Sequence, residues 1–176
     1  MKWSTPFLAA LLLACTKAIT VTNETSPEKP AVPTIIETPE WTLTLPPRCE
    51  LDSETPVTGR SLLARCRSYS QHFVTVNVTA KDWNGDEGQY ERIAAEAPKH
   101  MPNTAVFGTA LFKLKNVLAS ITYFAIRASN IGMVMVAVEE KGTAYSVTCG
   151  IALSPDQGLS VLDAACTDIV RSFQLK

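Results

Sequence analysis

Hydrophobic and polar residues alternate strictly along several stretches of this chain. Trp41, Leu43 and Leu45 are separated by threonines and then halted by Pro46-Pro47, which predicts a first strand. In residues 61–68, Leu62, Ala64 and Cys66 share one side, while Arg65 and Arg67 share the other. The clearest case is Val74, Val76 and Val78, interleaved with Thr75, Asn77 and Thr79. That spacing predicts one buried face and one polar or lightly covered face.

The period changes after residue 82. Asp82-Trp83-Asn84-Gly85-Asp86-Glu87-Gly88 reads as a turn. A helix is predicted over 87–99, because Tyr90, Ile93, Ala94 and Ala97 fall on one helical stripe. Asp86 is the expected N-cap, with Gln89 completing a capping box, and Pro98 and Pro102 mark the end. Short strands are expected over 104–107 and 110–114. Longer ones over 117–127 and 131–139 are apolar on both sides and belong inside a sheet covered on both faces. Glu140-Lys141-Gly142 predicts a hairpin turn into a strand over 143–152. A final helix over 155–173 aligns Leu162, Ala165, Cys166, Ile169 and Phe173. The expected class is α+β: an antiparallel sheet of about six to seven strands with helices on both faces, in a single domain over residues 40–176.

Upstream of residue 40 the pattern disappears. Pro27, Pro30, Pro33 and Pro39 are interleaved with Thr, Glu, Ser and Val. Such a segment favours extended geometry, and residues 15–39 read as a spacer. Before it, Lys2 is followed by an apolar run over 7–13, too short to span a bilayer. Leu12, Leu13 and Ala14 precede Cys15 in the order of a lipobox. Residues 1–14 are therefore expected to be a lipoprotein signal peptide, with Cys15 the acylated N-terminus. Two or more acyl chains anchor a protein stably. An ordinary secretory signal is the competing reading. Thr16 is not the aspartate associated with inner-membrane retention, so the expected address is the bacterial cell envelope, lipid-anchored, at the outer membrane.

The chain has five cysteines. Setting Cys15 aside leaves Cys49, Cys66, Cys149 and Cys166, an even set suited to an oxidising compartment. Cys149 ends an inward row with Tyr145 and Val147, and Cys166 lies on the helix stripe that must pack on that sheet. Cys49 and Cys66 sit on neighbouring segments. The expected bonds are Cys49–Cys66 and Cys149–Cys166, each closing a loop of about 17 residues and contributing roughly 3 kcal/mol. Crossed pairing and free buried thiols are the alternatives.

The element order ends with Ala144-Tyr145-Ser146-Val147-Thr148 and a helix closing on Val170-Arg171-Ser172-Phe173. Over residues 41–175 this resembles the PsbP-like, or DcrB-like, α/β/α sandwich of small bacterial lipoproteins and thylakoid-lumen proteins. The resemblance implies a binding or assembly module without catalysis. The four cysteines are not a general feature of that family.

Little catalytic chemistry is visible. His72 and His100 are the two histidines, and neither has metal-ligand spacing. There is no Gly-x-Ser-x-Gly elbow and no glycine-rich phosphate loop. Asp82-x-Asn84-x-Asp86 begins like a calcium loop. The sixth and twelfth positions are Glu87 and Ile93, where glycine and glutamate are required. No metal, cofactor or nucleic acid is expected; the formal net charge is −1. Asn23-Glu24-Thr25 and Asn77-Val78-Thr79 match the glycosylation pattern but read as chance in a bacterial chain. Arg48, Arg60, Arg65 and Arg67 form a modest basic cluster, and Trp83 sits in a turn. Arg65, Arg67 and Trp83 are the candidate partner surface, against the plainer readings of a solvated strand side and a packed indole. The expected function is a non-enzymatic, membrane-anchored envelope lipoprotein that binds an envelope or secreted protein. An immunity protein against a secreted toxin is the alternative, with a small-ligand carrier or hydrolase behind it.

Overall fold

The computed structural model describes residues 32–154 and 157–176. In chain order the strands are β1 (Thr34–Glu37), β2 (Trp41–Leu45), β3 (Cys49–Leu51), β4 (Ser61–Arg67) and β5 (Phe73–Asp82). Helix α1 (Gln89–Glu96) runs into a 3-10 turn, and β6 (Thr104–Leu114), β7 (Val117–Ile126), β8 (Ile131–Glu140) and β9 (Thr143–Ala152) follow. Helix α2 (Leu159–Arg171) and the short β10 (Gln174–Leu175) close the chain.

Seven strands form one antiparallel sheet in the order β3-β4-β5-β9-β8-β7-β6. Its centre is the β8–β9 hairpin. Lys141 and Gly142 both take positive φ, 52° and 77°, which is what a two-residue turn between right-twisted strands requires. A second sheet, β1-β2-β10, has three strands.

The main core joins the two sheets through α2. Leu162, Ala165, Cys166 and Ile169 of α2 pack with Val134, Val136 and Val138 of β8, Val147 and Cys149 of β9, and Trp41, Leu43 and Leu45 of β2. The closing Ser-Phe pair of α2 has a definite task. Phe173 packs between Trp41 and Tyr145, with ring centroids 5.8 and 6.0 Å away. The Ser172 hydroxyl accepts the Thr44 N–H at 3.0 Å, which fastens the helix end to β2. A smaller cluster joins Tyr90 and Ala94 of α1 to Ala137, Ala144 and, at its edge, Met135 and Trp83. Residues of β8 thus alternate between the clusters: Val134, Val136 and Val138 with α2, Met135 and Ala137 with α1.

The structure departs from the sequence reading in several places. Part of the expected spacer belongs to the fold. β1 pairs with β2 and buries Ile36, so the spacer boundary moves back. Thr38 makes the turn, its hydroxyl accepting the Trp41 N–H at 3.0 Å. Strands β3 and β10 are too short to show a period. The strand expected to break near residue 108 is continuous, because a bulge between Val106 and Gly108 absorbs the irregularity. The residue capping α1 is Gly88, with positive φ, rather than Asp86. Half of the expected box survives, since the Asp86 N–H donates to Gln89 Oε1 at 3.2 Å. On α1 the buried residues are Tyr90, Glu91, Ala94 and Ala95, while Ile93 is exposed. The helix is rotated from its apolar stripe to bring the Glu91 carboxylate onto strand β8. Helix α2 starts at Leu159 rather than 155, and Pro155 lies outside the described residues.

Candidate binding site

The sheet side that carries Met135 and Ala137 is only partly covered. Helix α1 sits over β7 and β8 at one end. Toward the other end the same side opens into a trough of about 920 Å³. Alternation in the strands fixes which side chains reach it. Leu63, Arg65 and Arg67 come from β4, Thr75 and Asn77 from β5, Thr148 and Gly150 from β9, and Ile131 and Met133 from β8. The registers Arg65↔Thr75↔Gly150↔Met133 place these residues in rows across four strands.

The floor is low because its central residues are small. Gly150 has no side chain, and a Cβ built there would lie 3.9 Å from Ile131 and Met133, in ordinary contact. One wall is cationic. The Arg67 guanidinium stacks over the Phe73 ring at 4.5 Å from its centroid, and Phe73 is 74% exposed. Arg65 is exposed and, among the described residues, forms no salt bridge. Arg48 and Glu50 also line this wall.

The expected basic cluster therefore divides. Arg48, Arg65 and Arg67 meet at the trough, whereas Arg60 is bound to Asp82 at 2.6 Å. That ion pair also occupies the first residue of the calcium-like motif. Trp83 does not join the arginines. Its half-buried ring packs on Tyr90 at 5.4 Å, with Lys81 near both rings. It props up α1, which is the plainer of its two readings. Cys15, the expected acylation site, lies outside the described residues.

Both disulfides are present. Cys49–Cys66 joins directly opposed residues of β3 and β4, and Cys149–Cys166 ties β9 to α2. The first bond also fastens edge strand β3 to β4, which carries Arg65 and Arg67.

Sequence reading missed Glu91. Its carboxylate is 1% exposed, and one oxygen accepts the Glu139 N–H. Strand β7 pairs with β8 only as far as Val138, so this carboxylate replaces the missing strand partner. Its other oxygen, Trp83 Nε1 and Ser120 Oγ are buried without protein partners. Tyr90 beside it is pushed above the usual tyrosine range by burial; the Glu91 charge acts the same way, and a Ser146 hydrogen bond opposes it. No group of three or more His, Cys, Asp or Glu side chains able to hold a metal occurs among the described residues.

No protein-family model matches the sequence, and no curated protein matches it. Solved structures do. The solution structure of cyanobacterial PsbP (CyanoP) from Synechocystis sp. PCC 6803 is similar over 88% of this chain and 99% of that one. The TM-score is 0.56 and the sequence identity 8%. The fold is PsbP-like. A 1.50 Å crystal structure from Bacteroides thetaiotaomicron VPI-5482 is also similar, over 77% of this chain and 45% of that one, with TM-score 0.42 and 10% identity. At these identities the PsbP-like likeness is one of backbone course, and the trough has to be judged on its own residues.

Proposed function

We propose that this chain is a lipid-anchored bacterial envelope protein whose PsbP-like domain is a non-catalytic protein-binding module. The domain is a three-layer sandwich with a helix on each face of the sheet, and the trough beside α1 is its binding surface. The observation that carries this reading is the trough itself. A floor of small side chains edged by Ile131 and Met133, flanked by exposed Arg65 and Phe73 and half-buried Arg67, has the composition of a protein-contact surface, where arginines and aromatic rings are enriched. The anchor rests on the lipobox at Cys15, and the proline-rich segment after it gives the domain reach.

Site-specific photocrosslinking in intact cells tests the surface. A photoreactive residue at Thr75, in the trough, is expected to give a protein adduct of discrete mass. The same residue at Asp168, on the outer side of α2, is expected to give none. Equal patterns from both positions would refute the assignment. A small-molecule adduct at Thr75 would favour a ligand carrier instead. Palmitate labelling tests the anchor separately: label is expected on the wild type and lost in Cys15→Ala.

A further inference from the structure

The trough has dimensions and charge that specify what can fill it. Its walls are β4 on one side and β8 on the other, separated by β5 and β9. Three strand spacings of about 4.8 Å make it roughly 14 Å across. Along β5 the lining runs from Phe73 to Asn77, about 13 Å. An α-helix with its side chains is about 10–12 Å in diameter, which suits that width.

The fold already seats a helix this way. Helix α1 lies on the same side of the sheet and presents Tyr90 and Ala94 to the small residues Ala137 and Ala144. The trough continues that side with Thr75, Thr148 and Gly150, again small residues that let a helix approach closely. On β8 the row is continuous, with Met133 and Ile131 beyond Met135 and Ala137. The place beside α1 is shaped for a second helix that this chain, among its described residues, does not supply.

Charge selects the helix. The β4 wall carries Arg65 and Arg67, with Glu50 of β3 the one acid lining it, while the β8 wall is apolar. A helix lying here meets cations along one flank and apolar surface beneath.

Resting on the binding reading above, we propose that the trough receives an acidic amphipathic helix of a partner protein. The helix sets an apolar stripe on Gly150, Thr75 and Met133 and directs carboxylates at Arg65 and Arg67. Charge-assisted contacts of guanidinium with carboxylate fix its direction.

The probe is a library of 14-residue helical peptides tested on the purified domain. Apolar residues are varied at i, i+3, i+4 and i+7, and the other positions are glutamate in one arm and lysine in the second. The best glutamate peptides are expected to bind at least about tenfold more tightly than the best lysine peptides. The advantage should shrink as salt rises. Arg65→Glu with Arg67→Glu is expected to weaken the glutamate arm at least about tenfold. Gly150→Phe, which fills the floor, should do the same without lowering the melting temperature. If Gly150→Phe does not fold, Thr75→Tyr at an exposed strand position fills the same space.

Equal binding by both arms would overturn the proposal. So would binding that survives both floor variants. Phosphatidylcholine vesicles containing phosphatidylglycerol form a third arm; if they bind through Arg65 and Arg67 and the peptides do not, the surface is for membrane and the helix proposal falls. If no peptide binds while crosslinks from Thr75 persist, the helix assignment fails and the protein-binding reading stands. If the crosslinks are absent as well, both fail.

Discussion

The two sides of the seven-stranded sheet are built from the same strands and used differently. On one side, Val134, Val136, Val138, Val147 and Cys149 meet α2 and the small sheet, and nearly every side chain is buried. On the other, the alternate residues of the same strands meet α1 at one end and solvent at the other. Within β5 the contrast falls between neighbours: Val74 is buried and Phe73 is largely exposed. Burial is concentrated on the first side, and open surface on the second.

The sharpest way to break that comparison is a pair of truncations. Trp41→Ala removes a fully buried indole that contacts Phe173, and is expected to cost about 3–5 kcal/mol in urea unfolding. Phe73→Ala should stay within about 0.5 kcal/mol, because that ring loses mainly its contact with Arg67. Comparable losses would mean the two sides do not differ as described.

The next effect belongs to the disulfide between β9 and α2. Replacing Cys149 and Cys166 together by alanine is expected to cost about 3 kcal/mol, measured by the same unfolding curves. A smaller loss is expected at Glu91, under the covered half of the second side. Glu91→Ala strands the half-buried Glu139 N–H and should cost about 1–3 kcal/mol. Glu91→Gln keeps an acceptor and should cost less; a larger loss than for alanine would contradict the hydrogen-bond role.

The smallest effect is one of pH. Tyr90 ionises less readily in the folded protein than in the unfolded chain, because burial disfavours its phenolate. Its folded pKa is raised, so its contribution is complete below the usual tyrosine value of about 10 and is lost as pH rises through the folded value. Melting temperature is expected to fall above about pH 10, less steeply in Tyr90→Phe. An identical slope in the variant would place the alkaline loss elsewhere, with Tyr145, also raised by burial, the next group to test.

Legibility in the sequence followed length and period. β2, β4, β5 and β9 carry alternations, β7 and β8 carry long apolar runs, and the buried row of α2 matches its predicted stripe at Leu162, Ala165, Cys166, Ile169 and Phe173. β1 is four residues long and β10 two, and pairing with β2 defines them rather than any pattern of their own. In α1 the apolar stripe is only a partial guide, since Tyr90 and Ala94 are buried and Ile93 is exposed. The side chain that decided its rotation is a carboxylate, and a buried Glu gives no hydrophobic signal. The arginines on β4 were visible as a face. Their separation from Arg60 depended on Asp82, twenty-two residues away.

The sequence by itself determined the strand faces and the closing Ser172-Phe173 motif and favoured the two cysteine pairs that the structure shows, because period and covalent chemistry are local or nearly so. The proposed lipobox at Cys15 is likewise a reading of local sequence, which needs no packing. Only the tertiary structure decided that β3 and β6 are the sheet edges and that α1 covers part of its side. The small residues Gly150, Thr75 and Thr148 come from distant segments, and strand register alone brings them beside Arg65 and Arg67. A trough is a relation between strands, so no single stretch of sequence contains it.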